Sequence, residues 1–568
     1  MLLGIDVGGT HTDAVAVRIA QRKAELVAAC KVRTRHDDLI ASVNQALEGI
    51  LKEVGQDRVR QLNLSTTLST NAIVENRTEE VGVLLSGGPG IDTGHFMLCK
   101  EFHHLDGSID HRGSEIRGLD QNQVKAAIDS CRAAGIKVFA AVSKFSIRNP
   151  VHERTIKRLV CSGRETTPCD GADFLVMGHE LGGRLNFPRR VATAFFNCAV
   201  WRLYNAFADA VEQSLARLGL AGIKVNMLKA DGGTSPFSLA RRMPVQSIFS
   251  GPAASVMGIL ALCDISHDSV ILDIGGTTTD IAVFAGGSPV VEQDGIDIGS
   301  HPTLVRALKV KSIGIGGDSA ISMIGDMLRV GPNRLGPSFA DAVDASPRPT
   351  LIDALNTLGI ASFGDAAASR RGIAAFAARH NADPERLAKA AVDFAVTEIH
   401  AATRAHVAEI NEKPVYTIHE LLEGARIVPR KVYVMGGPAQ AMRMELFRTF
   451  KLAVEVPKNH AVANAIGAAL TRTTWDLELF ADTEKNVLFI PSLGQRENIP
   501  ATYTLAEAER DARNHLLAYV GKLGVVEDVD NVQITRASSF NMVSGDATVG
   551  KNIRVRCQIR PGVTRRLA

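Results

Sequence analysis

Asp6-Val7-Gly8-Gly9-Thr10-His11-Thr12-Asp13 and Asp273-Ile274-Gly275-Gly276-Thr277-Thr278-Thr279-Asp280 share the pattern D-x-G-G-T-x-T-D, with six of eight positions identical and the second copy offset by 267 residues. Paired glycines let a backbone turn tightly and meet a ligand with no Cβ in the way. The N–H groups of such a turn form an anion-binding concavity. Threonine hydroxyls at 10, 12, 277 and 279 supply further donors for phosphate oxygens. Asp6 and Asp273 would repel a phosphate directly, but are suited to hold Mg²⁺ or its waters in front of one. The plain alternative is two hairpin turns closed by Asx-type hydrogen bonds. Repetition of the same polar set favours a phosphate clamp. Its candidate contacts are Gly8, Gly9, Thr10, Thr12, Gly275, Gly276, Thr277 and Thr278.

The elements that must position these residues follow from the flanking pattern. Each copy lies between two short apolar runs, which reads as strand, glycine turn, strand. Leu2–Ile5, Ala14–Arg18 and Glu25–Val32 read as three successive strands. Apolar residues at Ile40, Val43, Leu47, Ile50, Leu51 and Val54 then have helical spacing. A strand at 59–64, a hydroxyl-rich segment from Ser65 to Ala72 and a strand at Val81–Leu85 follow. That succession is the ribonuclease-H-like order, the unit that actin-like and sugar-kinase-like ATPases use twice. The expected fold is therefore α/β, with two such lobes around a central nucleotide cleft. The expected division is 1–190, an N-terminal lobe carrying an insertion; 191–474, a second lobe; and 475–568, a small α+β appendage whose function is not legible. Within the appendage, 538–550 reads as a polar loop.

Other stretches are weaker candidates. His179 follows a strand at Phe174–Met177, where a side chain often faces a site, although a capped, solvated turn is the simpler reading. Asp231 opens a further glycine turn at the end of a strand and suits a base or a metal contact. Gly314 to Ser319 is another glycine turn, and Gly436-Gly437 follows a buried strand at the place where such ATPases pack the nucleoside. Ser250 to Ala254 opens a helix whose N-terminal N–H groups suit an anion. His103, His104, Asp106, Asp110 and His111 are read as a solvated loop in preference to a metal site, because their spacing matches no helical ligand pair and no cysteine supports them.

Composition limits the classes. The chain has 568 residues, 45% of them hydrophobic and 22% charged, with a formal net charge of +3. This is globular and multidomain, without the basic excess of a nucleic-acid or acidic-membrane binder. Eight cysteines with no C-x-x-C pair suggest free thiols in a reducing compartment, not a disulfide frame or zinc site. The longest apolar run, Ala253–Cys263, is too short to cross a bilayer, and no signal-peptide pattern precedes Leu2. The expectation is a cytoplasmic protein.

Taken together and in this order, the two hairpins, Ser65-Thr66-Thr67, Asn71-Ala72, Asp231 to Thr234, Ser250 to Ala253 and Gly436 to Pro438 resemble the ATP-dependent hydantoinase/oxoprolinase family of the actin-like ATPase superfamily. Its relatives include N-methylhydantoinase subunits, 5-oxoprolinase and acetone carboxylase subunits. The resemblance implies an enzyme that uses ATP and Mg²⁺ to phosphorylate a carbonyl oxygen, as of a hydantoin or lactam, before hydrolysis. Phosphorylation makes the carbon more electrophilic and provides a leaving group. The resemblance also implies a second subunit of hydantoinase B type, and it leaves homo-oligomerisation open. It assigns Asp6 and Asp273 to Mg²⁺ and Gly436 and Gly437 to the nucleoside, with Asp231 and His179 on the substrate side. A small-molecule kinase and a non-enzymatic ATP switch on the same fold are the alternatives. Both use the same clamp and differ in what receives the phosphoryl group.

Overall fold

The computed structural model describes residues 1–568 except 21–22, 36, 165, 293, 326, 335–337, 342–347, 413–425 and 524–531. Each D-x-G-G-T-x-T-D stretch is the tip of a hairpin at the middle of its own sheet. In the first, Leu2–Val7 pairs antiparallel with His11–Ala20 and parallel with Gln61–Thr66. Lys23–Arg33 flanks the hairpin on one side, and Lys224–Leu228 lies parallel beyond Gln61–Thr66 on the other. In the second, Ser269–Ile274 pairs antiparallel with Thr279–Ala285 and parallel with Lys431–Met435, followed by Ala453–Glu455. Val310–Ile313 flanks Thr279–Ala285. The expected duplicated ribonuclease-H-like lobes are present, but the fifth strand of the first is Lys224–Leu228, beyond the expected boundary at 190, and the expected strand Val81–Leu85 instead contributes Gly82–Ser86 to a separate sheet, because a long insertion separates the fourth and fifth strands.

Local sequence explains the framework. Leu3, Ile5 and Val7 are buried, as are Leu62 and Leu64 beside them. Strands buried on both faces read as continuous apolar runs. The helix Leu39–Val54 turns Val43, Ala46, Leu47, Ile50 and Val54 onto this sheet. The Asp38 carboxylate accepts from Ala41 N–H at its start, and Gly55, at φ +73°, ends it.

The chain between the fourth and fifth strands of the first sheet builds a separate parallel sheet, in the order Phe174–Met177, Val138–Ser143, Gly82–Ser86 and Phe102–His104. Here a disulfide joins Cys161 to Cys169. The expectation that all the cysteines are free thiols is corrected at this pair. The eight-residue separation carried no C-x-x-C signal.

Two helices join the lobes. Ser250–Leu262 crosses Ala463–Leu470 so closely that a Cβ on Gly258 would lie 2.4 Å from the Ala463 carbonyl oxygen. The second helix also lies on the first sheet, where a Cβ on Gly4 would lie 2.1 Å from the Ala465 carbonyl oxygen. Small residues are required at these crossings because the backbones themselves touch.

The C-terminal region is α+β as expected. Five antiparallel strands run in the order Gln495–Asn498, Val487–Ile490, Asp476–Asp482, Ala547–Ile559 and Val532–Ser544, with the helix Leu505–Lys522 packed on them. Residues 538–550 are the distal arms of the long hairpin rather than a polar loop. Both arms are largely solvent-exposed there, so no apolar alternation marks them as strand. Among the described residues, no helix is long and apolar enough to cross a membrane.

Candidate functional site

The two hairpin turns are built alike. Gly8 N–H donates to the His11 carbonyl at 3.1 Å, and Gly275 N–H donates to the Thr278 carbonyl at 2.9 Å. Pairing continues down each hairpin from a cross-strand aspartate pair, Asp6 with Asp13 and Asp273 with Asp280. The tips meet: a Cβ on Gly276 would lie 3.0 Å from Thr10 Oγ1 and 2.6 Å from Asp318 Oδ2. The turn at 314–319 docks on the second tip, with Gly317 N–H donating to the Gly275 carbonyl at 2.9 Å and Asp318 N–H to the Gly276 carbonyl at 2.6 Å. Gly436 closes in from the adjoining strand at φ +94°, where a Cβ would lie 2.8 Å from Asp273 Oδ1. That backbone region and that approach both require glycine. By contrast, a Cβ on Gly9 or Gly437 would meet nothing within 4 Å.

Between the tips lies a set of acids. Asp6 is 5% exposed, and its Oδ1 is buried with no hydrogen-bond partner. Burial pushes its carboxyl up to about 7; the charges of Asp13 and Asp273 add to this, and the Ser65 hydroxyl and Asn464 amide oppose it. Asp273 Oδ2 accepts from Ser255 Oγ at 2.5 Å and from Asn464 Nδ2 at 3.2 Å. Asn464 is thus hydrogen-bonded to Asp273 and close enough to Asp6 to oppose the rise of its carboxyl. Its own Oδ1 is buried without a partner. Asp13 is held by Lys31 Nζ at 2.8 Å. Burial raises its carboxyl, and the adjacent Lys31 opposes the rise. Asp280 accepts from the Ser312 hydroxyl, and burial together with the charge of Asp273 pushes its carboxyl up to about 7.

Oxygen-rich, short of hydrogen bonds and crowded with negative charge, this set suits a hard divalent cation. The orphaned Asp6 Oδ1 and Asn464 Oδ1 are the specific observation that fits Mg²⁺ at the site.

The structure sorts the expected site residues. Gly8, Gly9, Thr10, Gly275, Gly276 and Thr277 are partly accessible at the tips, Thr278 is exposed, and Gly436 and Gly437 stand beside them. Thr12 is a correction. It is fully buried, and its hydroxyl pairs with that of Thr34 at 3.0 Å, so it braces the hairpin from within. Thr279 is its counterpart, donating to the Ile315 carbonyl at 2.6 Å. A residue on the inner face of a strand points away from the tip, and counting threonines did not separate the two faces.

His179 does not join the clamp's contacts. It is 2% exposed, and its Nδ1 lies 2.5 Å from Glu153 Oε2, whose other oxygen accepts from Ser143 N–H at 2.8 Å. Burial works against the Glu153 charge, but the hydrogen bond and charge of His179, with the charge of Arg190, hold its carboxyl below the ordinary value. This is a buried polar tie inside the inserted sheet.

Asp231 accepts from Gly233 N–H at 3.0 Å and lies 3.2 Å from Lys229 Nζ. Both residues line a cavity of roughly 70 Å³ together with Arg306, Asp476, Glu478 and Arg556. Around it, Arg306 Nε, Trp475 Nε1 and Ser492 Oγ are buried without partners. Met227 is level with Leu64, which is level with Ile5, so this end of the strand lies two strand spacings, about 10 Å, from the end of the strand that carries Asp6.

Asn464 and Ser255 were not singled out from sequence. Asn464 is the lone polar residue of an otherwise small or apolar helix, and Ser255 is the one hydroxyl beyond the first turn of another; that oddity is the signal that would have found them.

Comparison with known proteins follows this geometry. Residues 190–477 match the hydantoinase/oxoprolinase family model, and residues 2–162 match that of the hydantoinase/oxoprolinase N-terminal region. Among curated proteins, caprolactamase subunit alpha of Pseudomonas jessenii is 27% identical over 364 residues, covering 59% of this chain and 50% of that protein. The acetophenone carboxylase gamma subunit of Aromatoleum aromaticum is 24% identical over 381 residues, covering 59% and 49%. The chain thus spans about half the length of the curated relatives it matches. A nucleotide-free structure from ATP-dependent acetone carboxylase superposes with a TM-score of 0.70 at 15% identity, covering 99% of this chain and 87% of that one, so the C-terminal region shares the fold. The chain belongs to the hydantoinase/oxoprolinase family.

Proposed function

We propose that the chain binds MgATP between its two hairpins and uses it to activate the carbonyl of a cyclic amide, such as a lactam or hydantoin, by phosphorylation before hydrolysis, as one subunit of a larger enzyme. The observation that carries this is the apposition of two copies of one turn, Thr10 against Gly276, with Asp6, Asn464 and Asp273 linked behind them. The similarity to a caprolactamase subunit supports the amide, and the subunit names of both curated relatives support a partner polypeptide.

The chain's own residues divide the work. N–H groups and hydroxyls at Gly8–Thr10 and Gly275–Thr277 cradle the phosphates. Oriented donors of this kind offset charge without reorganising during the reaction. Gly436 and Gly437 face the nucleoside. Asp6 and Asp273 hold Mg²⁺ or its waters, and the ion supplies neutralisation of phosphate charge. Helix Ala463–Leu470 fixes the separation of these two acids, because its Asn464 bonds Asp273 while the helix rests on the first sheet, which carries Asp6. The cavity at Asp231 and Lys229 is the acceptor's place. Its unpartnered donors on Arg306, Trp475 and Ser492 suit a carbonyl oxygen. Holding acceptor and nucleotide on one rigid sheet replaces a chance encounter by a fixed approach.

Calorimetric titration of the purified chain with ATP, with and without Mg²⁺, tests the first half. Magnesium-dependent binding is expected, and binding indifferent to Mg²⁺ would overturn the assignment of Asp6 and Asp273. Phosphate release stimulated by lactams or hydantoins in the presence of the partner tests the second half. A stable phosphorylated product would instead indicate a kinase.

A further inference from the structure

The inserted sheet contains a cluster that the clamp does not use. Glu101, His103 and Cys131 bring one carboxylate oxygen, one imidazole nitrogen and one thiol sulfur within 4.8 Å of one another. The sequence reading set His103 among its neighbours in a solvated loop, for want of a cysteine. Folding changes both halves of that reading. His103 lies in the edge strand Phe102–His104, paired in register with Leu84. Cys131 comes from the helix Gln121–Ala133, 28 residues further along the chain.

The arrangement is specific. Glu101 Oε2 lies 2.7 Å from His103 Nε2 and 3.9 Å from Cys131 Sγ, and it accepts from Ser130 Oγ at 2.9 Å. Cys131 is fully buried, whereas the side chains of His103 and Glu101 are 25% and 21% exposed. The cluster is therefore anchored on the inside and open on one side. Gly82 makes room for it, since a Cβ there would lie 2.8 Å from Cys131 Sγ. Cys99 is near but committed elsewhere, its thiol facing the Val81 carbonyl oxygen at 3.3 Å.

We propose that Glu101, His103 and Cys131 form a binding site for a divalent transition metal of the zinc class, tying the edge strand to the helix and leaving the fourth position open to water or an exogenous ligand. Thiolate, imidazole and carboxylate are the three donor types that zinc takes from proteins, and a tetrahedral ion with bonds of about 2.0–2.3 Å sets its ligand atoms about 3.3–3.6 Å apart. The distances of 2.7 and 3.9 Å bracket that spacing, and the third separation, between His103 and Cys131, is within 4.8 Å. The hard-cation preference for all-oxygen cages excludes Mg²⁺ and Ca²⁺ as first choice here. The hydroxyl of Ser130 on the carboxylate is the kind of outer contact that orients a metal ligand.

Cobalt(II) is a direct probe, because it takes the zinc geometry and reports sulfur ligation by a charge-transfer band in the near ultraviolet. Full-length chain, freed of metal with a chelator and held reduced, would be titrated with Co²⁺ and then with Zn²⁺. The expected result is a sulfur-to-cobalt band that saturates at one equivalent and is bleached by zinc. Cys131→Ser should remove the band. Cys131 is buried, so variants at the two partly exposed ligands guard against a folding failure. His103→Gln and Glu101→Gln should each weaken zinc affinity by about tenfold or more in competition with a chromophoric chelator. A missing band at stoichiometric cobalt, a band that persists in folded Cys131→Ser, or unchanged affinity in His103→Gln would each overturn the site.

Discussion

The two hairpins are copies in sequence and backbone, yet their acids are compensated at opposite ends. In the first, the outgoing aspartate Asp13 has a lysine, while the incoming Asp6 keeps an orphaned oxygen. In the second, the incoming Asp273 has donors from Ser255 and Asn464, while the outgoing Asp280 has the Ser312 hydroxyl. The carboxyls pushed up to about 7 are accordingly Asp6 in one hairpin and Asp280 in the other. A repeated motif therefore does not mean repeated electrostatics. The flanking strand and the crossing helix decide which partners each acid finds. On this reading Asp273 is the acid held by two side-chain donors, and Asp6 trades a proton for a cation.

The sharpest way to break that comparison is to remove one incoming acid at a time. Asp273→Asn should lower MgATP turnover by about 10²-fold or more, the scale seen when an oriented electrostatic contact is lost from an active site. Asp6→Asn should cost as much in turnover. Asp280→Asn should cost far less, because its side chain is engaged with Ser312 at the flanking strand. Steady-state phosphate release on the three folded variants separates them. Equal losses at 273 and 280 would mean that both acids of the second hairpin serve the nucleotide.

A smaller effect distinguishes the two glycine tips. Gly276 faces Thr10 and Asp318, whereas the equivalent Gly9 faces open space. Gly276→Ala should cost about 1–3 kcal/mol of stability by overpacking. Gly9→Ala should stay within about 0.5 kcal/mol. Both should weaken nucleotide binding, since each puts a methyl group where the backbone approaches phosphate. Thermal melts with and without MgATP check the pair; matching melts would show that the tips do not touch in solution.

Much of this architecture was legible. The hairpins, the first four strands and the glycine turns were readable because each rests on a local pattern: apolar runs broken by glycine, or helical spacing as in 40–54; the fifth strand of the first sheet was not, because a long insertion separates it from the fourth. What resisted reading depends on faces and distant partners. Thr12 and Thr10 are indistinguishable as letters, yet one braces the core and the other meets the opposite lobe. Asn464 lies 191 residues from the Asp273 it contacts. His179 followed the rule that strand ends face sites, but Glu153 from the preceding helix captured it. Cys131 supplied the thiol that His103 lacked only once a helix had folded across the sheet.

The smallest expected effect is on stability against pH, and its sign follows from the raised carboxyls. An unfolded aspartate titrates near 3.9, whereas folded Asp6 holds its proton to about 7. Between these values the folded state binds more protons than the unfolded one, so the nucleotide-free chain loses stability as pH rises through that window. Above it the full penalty of a buried charge remains. Asp6→Asn removes that charge but leaves a buried amide whose N–H groups need acceptors, which offsets part of the gain. A net stabilisation of about 1 kcal/mol at pH 8, fading by pH 5, is the expected result in metal-free buffer. The same substitution should weaken magnesium-dependent nucleotide binding, so one variant gains stability and loses function. That opposition is the signature of a carboxylate kept for a cation. If Asp6→Asn destabilises the free chain at pH 8, Asp6 is a structural partner of Ser65 and Asn464, and the two hairpins differ in purpose as well as in charge.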